Sequence, residues 1–506
     1  YGYTASFALQ ADVLNSAART GFVRANIPRT PVFVNFSAYG QDTWQVSRRL
    51  TLNLGMRWEV NPAPIPASGP SPVAVTQVDN LSTMQLEASG TQLWKTTYAN
   101  LAPRIGVAYQ IRDTSGRELV VRGGFGVFYD TGNEMGTRAY SGSLFGTTQS
   151  LSIVRFPLQP VSIAPPIIPV VLSSPYPVLT ITDPRLELPY TLQWNLAAEQ
   201  SLGSGQSLTL SYVGAAGRRL LQSTQFNLAA VNPRFTTVLL VRNGATSDYH
   251  ALQAQFQRRL LRGLQGLASY TWSHALDDDS NSITLRVAQR GNADFDVRHN
   301  FALAVTYDLP VAKSNSFVHA ILGHWSIDST LHAQSSAPID LIAASLTNPI
   351  DGSVLNVRPN VIAGVPTYVY GDQYPGGRIV NDAVPSAAQI AAAGCNPAGP
   401  AKGAFCTPLP GRSGNLGRNV VRGLPSWQVD VALRREFNFT EKLKLQFRAE
   451  AFNLLNHPNF GGIQTNLGSP NFGQATTMLN QQLTGLSPLY QIGGPRSFQF
   501  ALKLLF

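Results

Sequence analysis

The amino-acid sequence predicts an all-β fold, an antiparallel β-barrel that crosses a membrane. Three observations support this prediction. Charged residues are scarce although the chain has no apolar helix, long segments alternate between apolar and polar side chains, and short connections alternate with long ones.

The composition is poor in charge for a water-soluble protein of 506 residues. Charged residues make up 13% of the chain and hydrophobic residues 44%, whereas soluble domains usually carry about 25% charged residues. A transmembrane helix needs about 20 consecutive apolar residues. The nearest candidate, residues 156–172, is interrupted by prolines that a helix cannot accommodate. Low charge without an apolar helix is typical of a barrel that is apolar outside and polar inside.

The alternation of side chains has the period of two that strands require. Residues 50–60 place leucines, a methionine and Trp58 on one face, and Arg57 and Glu59 on the other. Such runs are about 9–12 residues long, the length that a tilted strand needs to cross a bilayer. Strands of soluble proteins average about 5–6 residues. Similar alternation occurs in residues 191–202, 298–309 and 442–452.

The connections between strands alternate between short turns and long segments. This is the pattern of short periplasmic turns and longer extracellular loops in outer-membrane barrels. We expect residues 1–32 to form an incoming extracellular loop or partial strand, and residues 33–506 to form the barrel. The expected extracellular loops are residues 61–102, 131–190, 214–247, 275–297, 335–426 and 453–495.

Aromatic residues lie near the strand ends, where their amphipathic rings suit the level of the lipid headgroups. The last predicted strand, residues 496–506, ends on Phe506 with apolar residues at every second position before it. A bare apolar edge would invite aggregation in a soluble protein. The predicted aromatic girdle consists of Trp44, Trp58, Trp194, Tyr212, Tyr270 and Tyr307.

The two cysteines, Cys395 and Cys406, lie close together among turn residues. In an oxidising compartment this arrangement favours a disulfide that pins a loop. A metal site would require further ligands nearby, and neither a histidine nor a third cysteine lies in the segment.

No motif indicates catalysis, a cofactor or a resident metal. The histidines lack metal-ligand spacing, and Ser273 and His274 point to opposite faces of a strand. The net charge of +10 could indicate a nucleic-acid partner. However, the arginines are scattered rather than gathered in a block, so we expect no nucleic-acid partner. Because no catalytic motif is found, we also expect no enzyme activity.

Five segments resemble a known family. Residues 39–59, from Tyr-Gly-Gln-Asp-Thr-Trp to Leu-Gly-Met-Arg-Trp-Glu, resemble a hairpin of TonB-dependent outer-membrane receptors. The others resemble the Oar-like branch of that family, whose members usually carry a carboxypeptidase-regulatory-like domain. They are Ala102-Pro-Arg-Ile-Gly106, Arg122-Gly-Gly-Phe-Gly-Val-Phe-Tyr-Asp130, Tyr270-Thr-Trp-Ser-His274 and Ala451-Phe-Asn-Leu-Leu-Asn-His-Pro-Asn-Phe460.

The resemblance implies a bacterial outer-membrane location and a 22-strand barrel with a plug domain and a TonB box. The sequence contains about 13 or 14 candidate strands and neither a plug nor a TonB box. We therefore expect the C-terminal portion of the barrel, with an unpaired edge or an incomplete wall. The terminal strand ending at Phe506 resembles the signal read by the barrel assembly machinery, which is therefore an expected partner. The resemblance also implies contact with outer-membrane lipid and with the TonB complex, which would act through the missing plug.

The resemblance implies a receptor or transporter for uptake or export of a substrate. A non-transporting adhesin or a passive porin is the alternative, and a plug and a TonB box would separate the two. Polar residues of the strands would face the lumen, and the long loops would recognise the ligand. The lumen-facing candidates are Arg57, Glu59, Arg104, Glu199, Arg298, Asp308, Arg448 and Glu450.

Overall fold

A computed structural model describes residues 2–6, 17–157, 164–168, 172–280, 290–310, 323–347, 354–440, 443–479 and 493–506. One long antiparallel sheet dominates these ranges. Its strands are β1 (Phe36–Gln45), β2 (Leu50–Val60), β3 (Asn100–Arg112), β4 (Leu119–Tyr129), β5 (Tyr190–Ser201), β6 (Gln206–Asn227), β7 (Thr237–Leu261), β8 (Leu264–Asp277), β9 (His299–Asp308), β10 (Trp325–Gln334), β11 (Ser426–Asn438), β12 (Lys444–Phe452) and β13 (Ser497–Leu505).

Each of these strands pairs with the strands next to it along the chain. This meander satisfies the backbone hydrogen bonds of each inner strand on both of its sides. The predicted antiparallel all-β fold is therefore confirmed. None of the helices in the described ranges is long and apolar enough to cross a membrane.

Some of the connections on one side of the sheet are tight turns. Arg262 and Gly263 join β7 to β8 with φ angles of 53° and 77°, the combination that a two-residue type I′ turn requires. A Cβ atom on Gly263 would lie 2.6 Å from the carbonyl oxygen of Asp308. Glycine is therefore required both for the backbone conformation and for the close approach of β9.

The apolar face of the sheet is exposed, whereas in a soluble protein the apolar face of a sheet is buried. Large apolar side chains of one face are exposed, with Leu196 57%, Leu210 49% and Phe500 70% accessible. The alternate positions carry polar residues such as Glu199 and Ser211. A continuous exposed apolar face would be unstable in water, whereas it matches the outer band of a membrane barrel. We therefore assign the exposed face as the lipid face and the polar face as the lumen wall.

The sheet is open. Among the described residues, β1 pairs only with β2 and β13 only with β12. Every residue of β1 is exposed, as are the outward-facing Phe498 and Leu502 of β13. Thirteen strands thus form an incomplete wall with two free edges.

Strands β6 and β7 are 22 and 25 residues long, about twice the 9–11 residues that a bilayer requires. Residues 214–247, expected as a loop, therefore mostly continue these two strands to Asn227 and from Thr237. Pairing between the strands persists beyond the membrane because each supplies the backbone partners of the other. Only residues 228–236 connect them.

The described residues of 61–99 and 130–189 fold onto these strand ends as loop lobe 1. Its two apolar clusters include Trp94, Tyr140 and Phe145 in one, and Ile181 and Phe235 in the other. Loop lobe 1 is thus folded around apolar clusters, one of which it shares with the β6–β7 hairpin through Phe235. Its elements are Ile65–Ser68, Val75–Thr76, Gln85–Leu86, helix Asn133–Ala139, Gly146–Arg155 and Leu179–Thr182, with Gly2–Ser6, Ala17–Asn26 and Thr30–Val32 pairing beside it.

The described residues of 335–425 and 453–479 form loop lobe 2. Phe405 and Phe472 are fully buried in its core, and Cys395 and Cys406 form a disulfide with Cα atoms 6.0 Å apart. Its elements are Pro338–Ile339, Ala344–Thr347, Val354–Val357, Asn360–Val361, Tyr368–Tyr370, 3₁₀ helix Pro375–Gly377, Arg378–Val380, helix Ala387–Ala392, Ala401–Lys402, Phe405–Cys406 and Val421–Arg422; Gly291–Asn292 pairs with the end of β8.

The assignment of the two faces can be tested with neighbouring residues of β6. Leu210→Arg places a charge on the lipid face and is expected to lower the free energy of unfolding by about 2–4 kcal/mol if it lies near the bilayer midplane. Ser211→Arg places the same charge on the lumen face and is expected to cost less than about 1 kcal/mol. Denaturant titration of the protein folded in lipid vesicles measures both values, and equal losses for the two variants would contradict the assignment.

Candidate functional site

The lumen wall brings together most of the polar residues predicted to face the lumen. Strand register places Arg104 opposite Gly55 and Gly126, and Glu199 opposite Thr209 of β6. These positions alternate with exposed apolar residues such as Ile105 and Leu196. Arg298 differs, because β9 begins one residue later and Arg298 lies in the connection before it.

Ion pairs lie on this wall, both within a strand and between neighbouring strands. The guanidinium of Arg57 lies 2.7 Å from the carboxylate of Glu59, and Arg448 lies 2.7 Å from Glu450. Arg122 of β4 bonds to Glu199 of β5. Such pairing balances the charges inside the lumen, where a lone charge would be costly if water were excluded.

Asp308 and Arg104 have other partners. The hydroxyl of Ser326 donates to the Asp308 carboxylate at 2.7 Å, and the guanidinium of Arg434 lies 3.9 Å from it. The guanidinium of Arg104 instead lies 4.5 Å from the ring centroid of Phe128. No carboxylate within the described residues forms an ion pair with Arg104.

The six predicted girdle residues lie on the sheet at different distances from the short turns. Trp44 and Tyr307 are near these turns, whereas Trp58, Trp194, Tyr212 and Tyr270 are farther along their strands. Two of the farther residues pair with histidines that the sequence did not single out. The hydroxyl of Tyr212 lies 2.7 Å from Nδ1 of His250, and that of Tyr270 lies 2.8 Å from Nδ1 of His299.

Arg418, which is buried, and Arg422, which is partly exposed, anchor loop lobe 2 to the wall. The guanidinium of Arg418 is 2.7 Å from the carboxylate of Asp277 at the end of β8, and it also donates to the backbone carbonyls of Asp277 and Ser280. Four residues later, Arg422 bonds to the Asp296 carboxylate. Breaking a buried pair by removing one partner typically costs about 3–5 kcal/mol, so these contacts fix the position of the lobe.

The carboxyl group of Asp296 is the centre of the second anchor. Burial alone would raise its pKa. The backbone N–H of Ala275 donates to it at 2.7 Å, Arg422 bonds to it, and Arg298 lies 2.9 Å away. Together these donors outweigh burial and hold the pKa of Asp296 below its ordinary value.

Within loop lobe 2, Asp340 behaves in the opposite way. Burial raises the pKa of its carboxyl group, and the guanidinium of Arg358, 3.8 Å away, only partly offsets this effect. Both residues line a cavity of about 280 Å³.

Two of the larger cavities lie elsewhere. One of about 580 Å³ lies in loop lobe 1 and is lined mainly by apolar residues, among them Val73, Leu86 and Leu144, with Glu87 at its edge. The other, of about 460 Å³, lies on the lumen wall beside Arg104 and Phe128. The described residues contain no group of three or more His, Cys, Asp and Glu placed to hold a metal ion.

The family of this β-sheet protein is known from a comparison with protein-family models. A family model described as an outer membrane beta barrel domain matches residues 4–499. The chain belongs to this family. Its location is therefore the bacterial outer membrane, where the short turns of a barrel face the periplasm and the longer loops face the exterior.

Several solved outer-membrane proteins are similar to this barrel. The transporter YddB from Escherichia coli has a TM-score of 0.47 and 12% identity, with 94% of this chain and 45% of that chain covered. The ferripyoverdine receptor of Pseudomonas aeruginosa has a TM-score of 0.42 and 11% identity, with 93% of this chain and 38% of that chain covered. The ferric preacinetobactin receptor BauA from Acinetobacter baumannii has a TM-score of 0.43 and 11% identity, with 96% of this chain and 43% of that chain covered.

The chain thus spans about two-fifths of the length of these structures. No curated protein sequence matches it significantly.

Sequence reasoning missed the residues that anchor loop lobe 2. Arg418 and Asp277 are 141 residues apart, and nothing local to either residue indicates the pairing. The only signal was that Arg418 and Arg422 stand in an otherwise weakly charged stretch at four-residue spacing.

Arg418→Ala should release loop lobe 2, because it leaves the Asp277 carboxylate without its guanidinium partner. We expect limited proteolysis of the folded barrel to cut residues 411–422 at least about tenfold faster, as the loss of a buried ion pair implies. Arg412→Ala, at an exposed position of the same segment, is the control and should leave the rate unchanged. Equal rates in the two variants would refute the anchoring role.

The anchor at Asp296 should survive mild acid. A carboxyl group with a lowered pKa in the folded state stabilises it fully above the ordinary pKa of about 3.9, and this contribution is lost as the pH falls through the lower folded value. Hydrogen exchange of residues 290–298 should therefore stay slow from pH 7 to pH 4 and accelerate only below that, after correction for intrinsic exchange. Acceleration between pH 6 and pH 5 would argue against this assignment.

Proposed function

We propose that the chain is the C-terminal part of the barrel of a TonB-dependent receptor that moves a substrate across the outer membrane. The observation that carries the proposal is the polar, ion-paired lumen wall beneath two folded loop lobes. A lumen of this kind offers a substrate a polar path through the membrane, and folded lobes above it supply recognition surfaces. The motif resemblance of residues 39–59 and 451–460 supports the TonB-dependent class.

Closure of the wall is part of this proposal. The free edges of β1 and β13 would leave unpaired backbone N–H and C=O groups in lipid, and each such group costs several kcal/mol. Further strands of the receptor are therefore proposed to pair with both edges. A 22-strand barrel would need nine more strands than the thirteen described.

The energy for transport would come through the TonB complex, acting on a plug domain outside these residues. Arg57, Glu59, Glu199, Arg448 and Glu450 would face the plug and the substrate. The barrel itself would carry out no covalent chemistry, since its proposed role is to bind and to conduct. Arg298 would act at the rim of the lumen, and Asp308 near the short-turn end.

The outer surface would serve insertion and anchoring. The girdle residues Trp44, Trp58 and Tyr307 would lie at the lipid headgroups together with Trp194, Tyr212 and Tyr270. Phe506 would end the strand that the barrel assembly machinery recognises. In the cell exterior, the disulfide between Cys395 and Cys406 would keep its loop closed in an oxidising environment.

The folded lobes also suit a second function, adhesion without transport, because their cores hold exposed surfaces in fixed positions. A passive porin is the remaining candidate. The three functions differ in whether a substrate enters the cell and whether entry requires energy.

Uptake by intact cells distinguishes these functions. A deletion strain and its complemented parent are compared on a panel of labelled iron chelates and oligosaccharides, with and without a protonophore. We expect at least one compound to enter only the complemented strain and to stop entering when the protonophore is added. Entry that the protonophore leaves unchanged would establish a porin, and the absence of any difference in entry would refute transport.

A further inference from the structure

A recess in the lumen wall combines a cation that forms no ion pair within the described residues with an apolar floor. Register places Arg104 of β3, Gly126 of β4 and Gln193 of β5 in one row across the sheet. The recess has a volume of about 460 Å³, and Phe128 and Asn195 also line it. This size lies within the range of small-molecule sites, about 300–1,000 Å³.

Two glycines make room for the side chains that shape the recess. A Cβ atom on Gly126 would lie 2.8 Å from the ring of Phe128, and one on Gly124 would lie 2.9 Å from the amide oxygen of Asn195. Both distances are shorter than van der Waals contact. In the sequence these glycines are only part of a strand motif, whereas in the structure they let the Phe128 ring and the Asn195 amide lie close over β4.

The Phe128 ring in turn positions Arg104. The guanidinium lies 4.5 Å from the ring centroid, a cation–π contact that restricts the long side chain. Stacking uses the face of the guanidinium and leaves its N–H groups free to point along the wall. Arg57 and Arg122 on the same face are engaged with Glu59 and Glu199, whereas Arg104 forms no ion pair with any residue of the described ranges.

We propose that this recess binds a small amphipathic carboxylic acid, with its carboxylate on Arg104 and its apolar body against Phe128, Val213 and Ala215. A guanidinium matches a carboxylate with two parallel hydrogen bonds, which is the strongest neutralising contact available to it. The amides of Gln193 and Asn195 flank the site and supply further donors. Because stacking already restricts Arg104, binding loses less side-chain entropy than it would with a free arginine.

The inference rests on the proposed uptake function, for which it names a substrate class. Its test is a binding measurement that does not require transport, so the two can fail separately. If the protein binds the probe but the cells take up no substrate, only the transport function is refuted. If the cells take up a substrate but the protein does not bind the probe, only the inference about this recess is refuted.

Benzoate is a suitable probe, and benzamide is its neutral counterpart of the same shape. Isothermal titration of the full-length protein, purified from outer membranes, should show benzoate binding at least about tenfold tighter than benzamide, as a charge-assisted hydrogen bond implies. Arg104→Gln should weaken benzoate binding by a similar factor. Arg122→Gln removes the same charge from the neighbouring strand and should change the affinity by less than about twofold.

Gly126→Ala provides a variant that keeps every charge. It should displace the Phe128 ring and weaken benzoate binding, although Arg104 is still present. The heat-dependent shift of the folded band in gel electrophoresis verifies that each variant is folded. The proposal is overturned if the wild-type protein does not bind benzoate, if benzamide binds equally well, or if Arg104→Gln and Arg122→Gln weaken binding to the same extent.

Discussion

The backbone of a chain in lipid must satisfy its own hydrogen bonds, and the rest of this structure depends on that constraint. Water is absent from the bilayer core, so each N–H and C=O group needs a partner in the protein. Consecutive antiparallel pairing from β1 to β13 provides these partners for every inner strand. The same constraint makes the two outermost strands incomplete by themselves and gives the proposed further strands their role.

Once the backbone is paired, the alternation of side chains divides the sheet between two solvents. Leucines and phenylalanines at every second position meet lipid, and the arginines and glutamates between them meet water, each other or a ligand. The ion pairs of the lumen wall follow from this arrangement, since opposite charges on one face, either two residues apart on a strand or on neighbouring strands, lie close enough to bond. Arg104 differs from the other arginines because it contacts the Phe128 ring instead of a carboxylate. Gly126 leaves the space that the Phe128 ring occupies.

Much of the wall could be predicted from the sequence because both of its signals are local. The alternation in residues 50–60 places β2 at Leu50–Val60, and that in residues 191–202 places β5 within one residue of Tyr190–Ser201. Strand ends beyond the membrane were harder to place. The sequence predicts residues 214–247 as a loop, whereas pairing between β6 and β7 keeps most of them extended.

The contacts of the lobes and the lumen could not be predicted because they join distant parts of the chain. Arg122 and Glu199 are 77 residues apart, and the neighbour of each across the sheet depends on register, which the alternation leaves free by steps of two. Arg418 and Asp277 are brought together by the fold of loop lobe 2 rather than by any local pattern. A local pattern identifies the face on which such a residue lies but does not identify its partner.

The division of the sheet between lipid and water is most directly tested by spin-label scanning of β6. Nitroxides attached one at a time at residues 207–213 report their accessibility to oxygen, which concentrates in lipid, and to a water-soluble nickel complex. The account predicts that oxygen accessibility peaks at Leu208, Leu210 and Tyr212 and that nickel accessibility peaks at the residues between them. Accessibility without a period of two, or with the opposite phase, would contradict it.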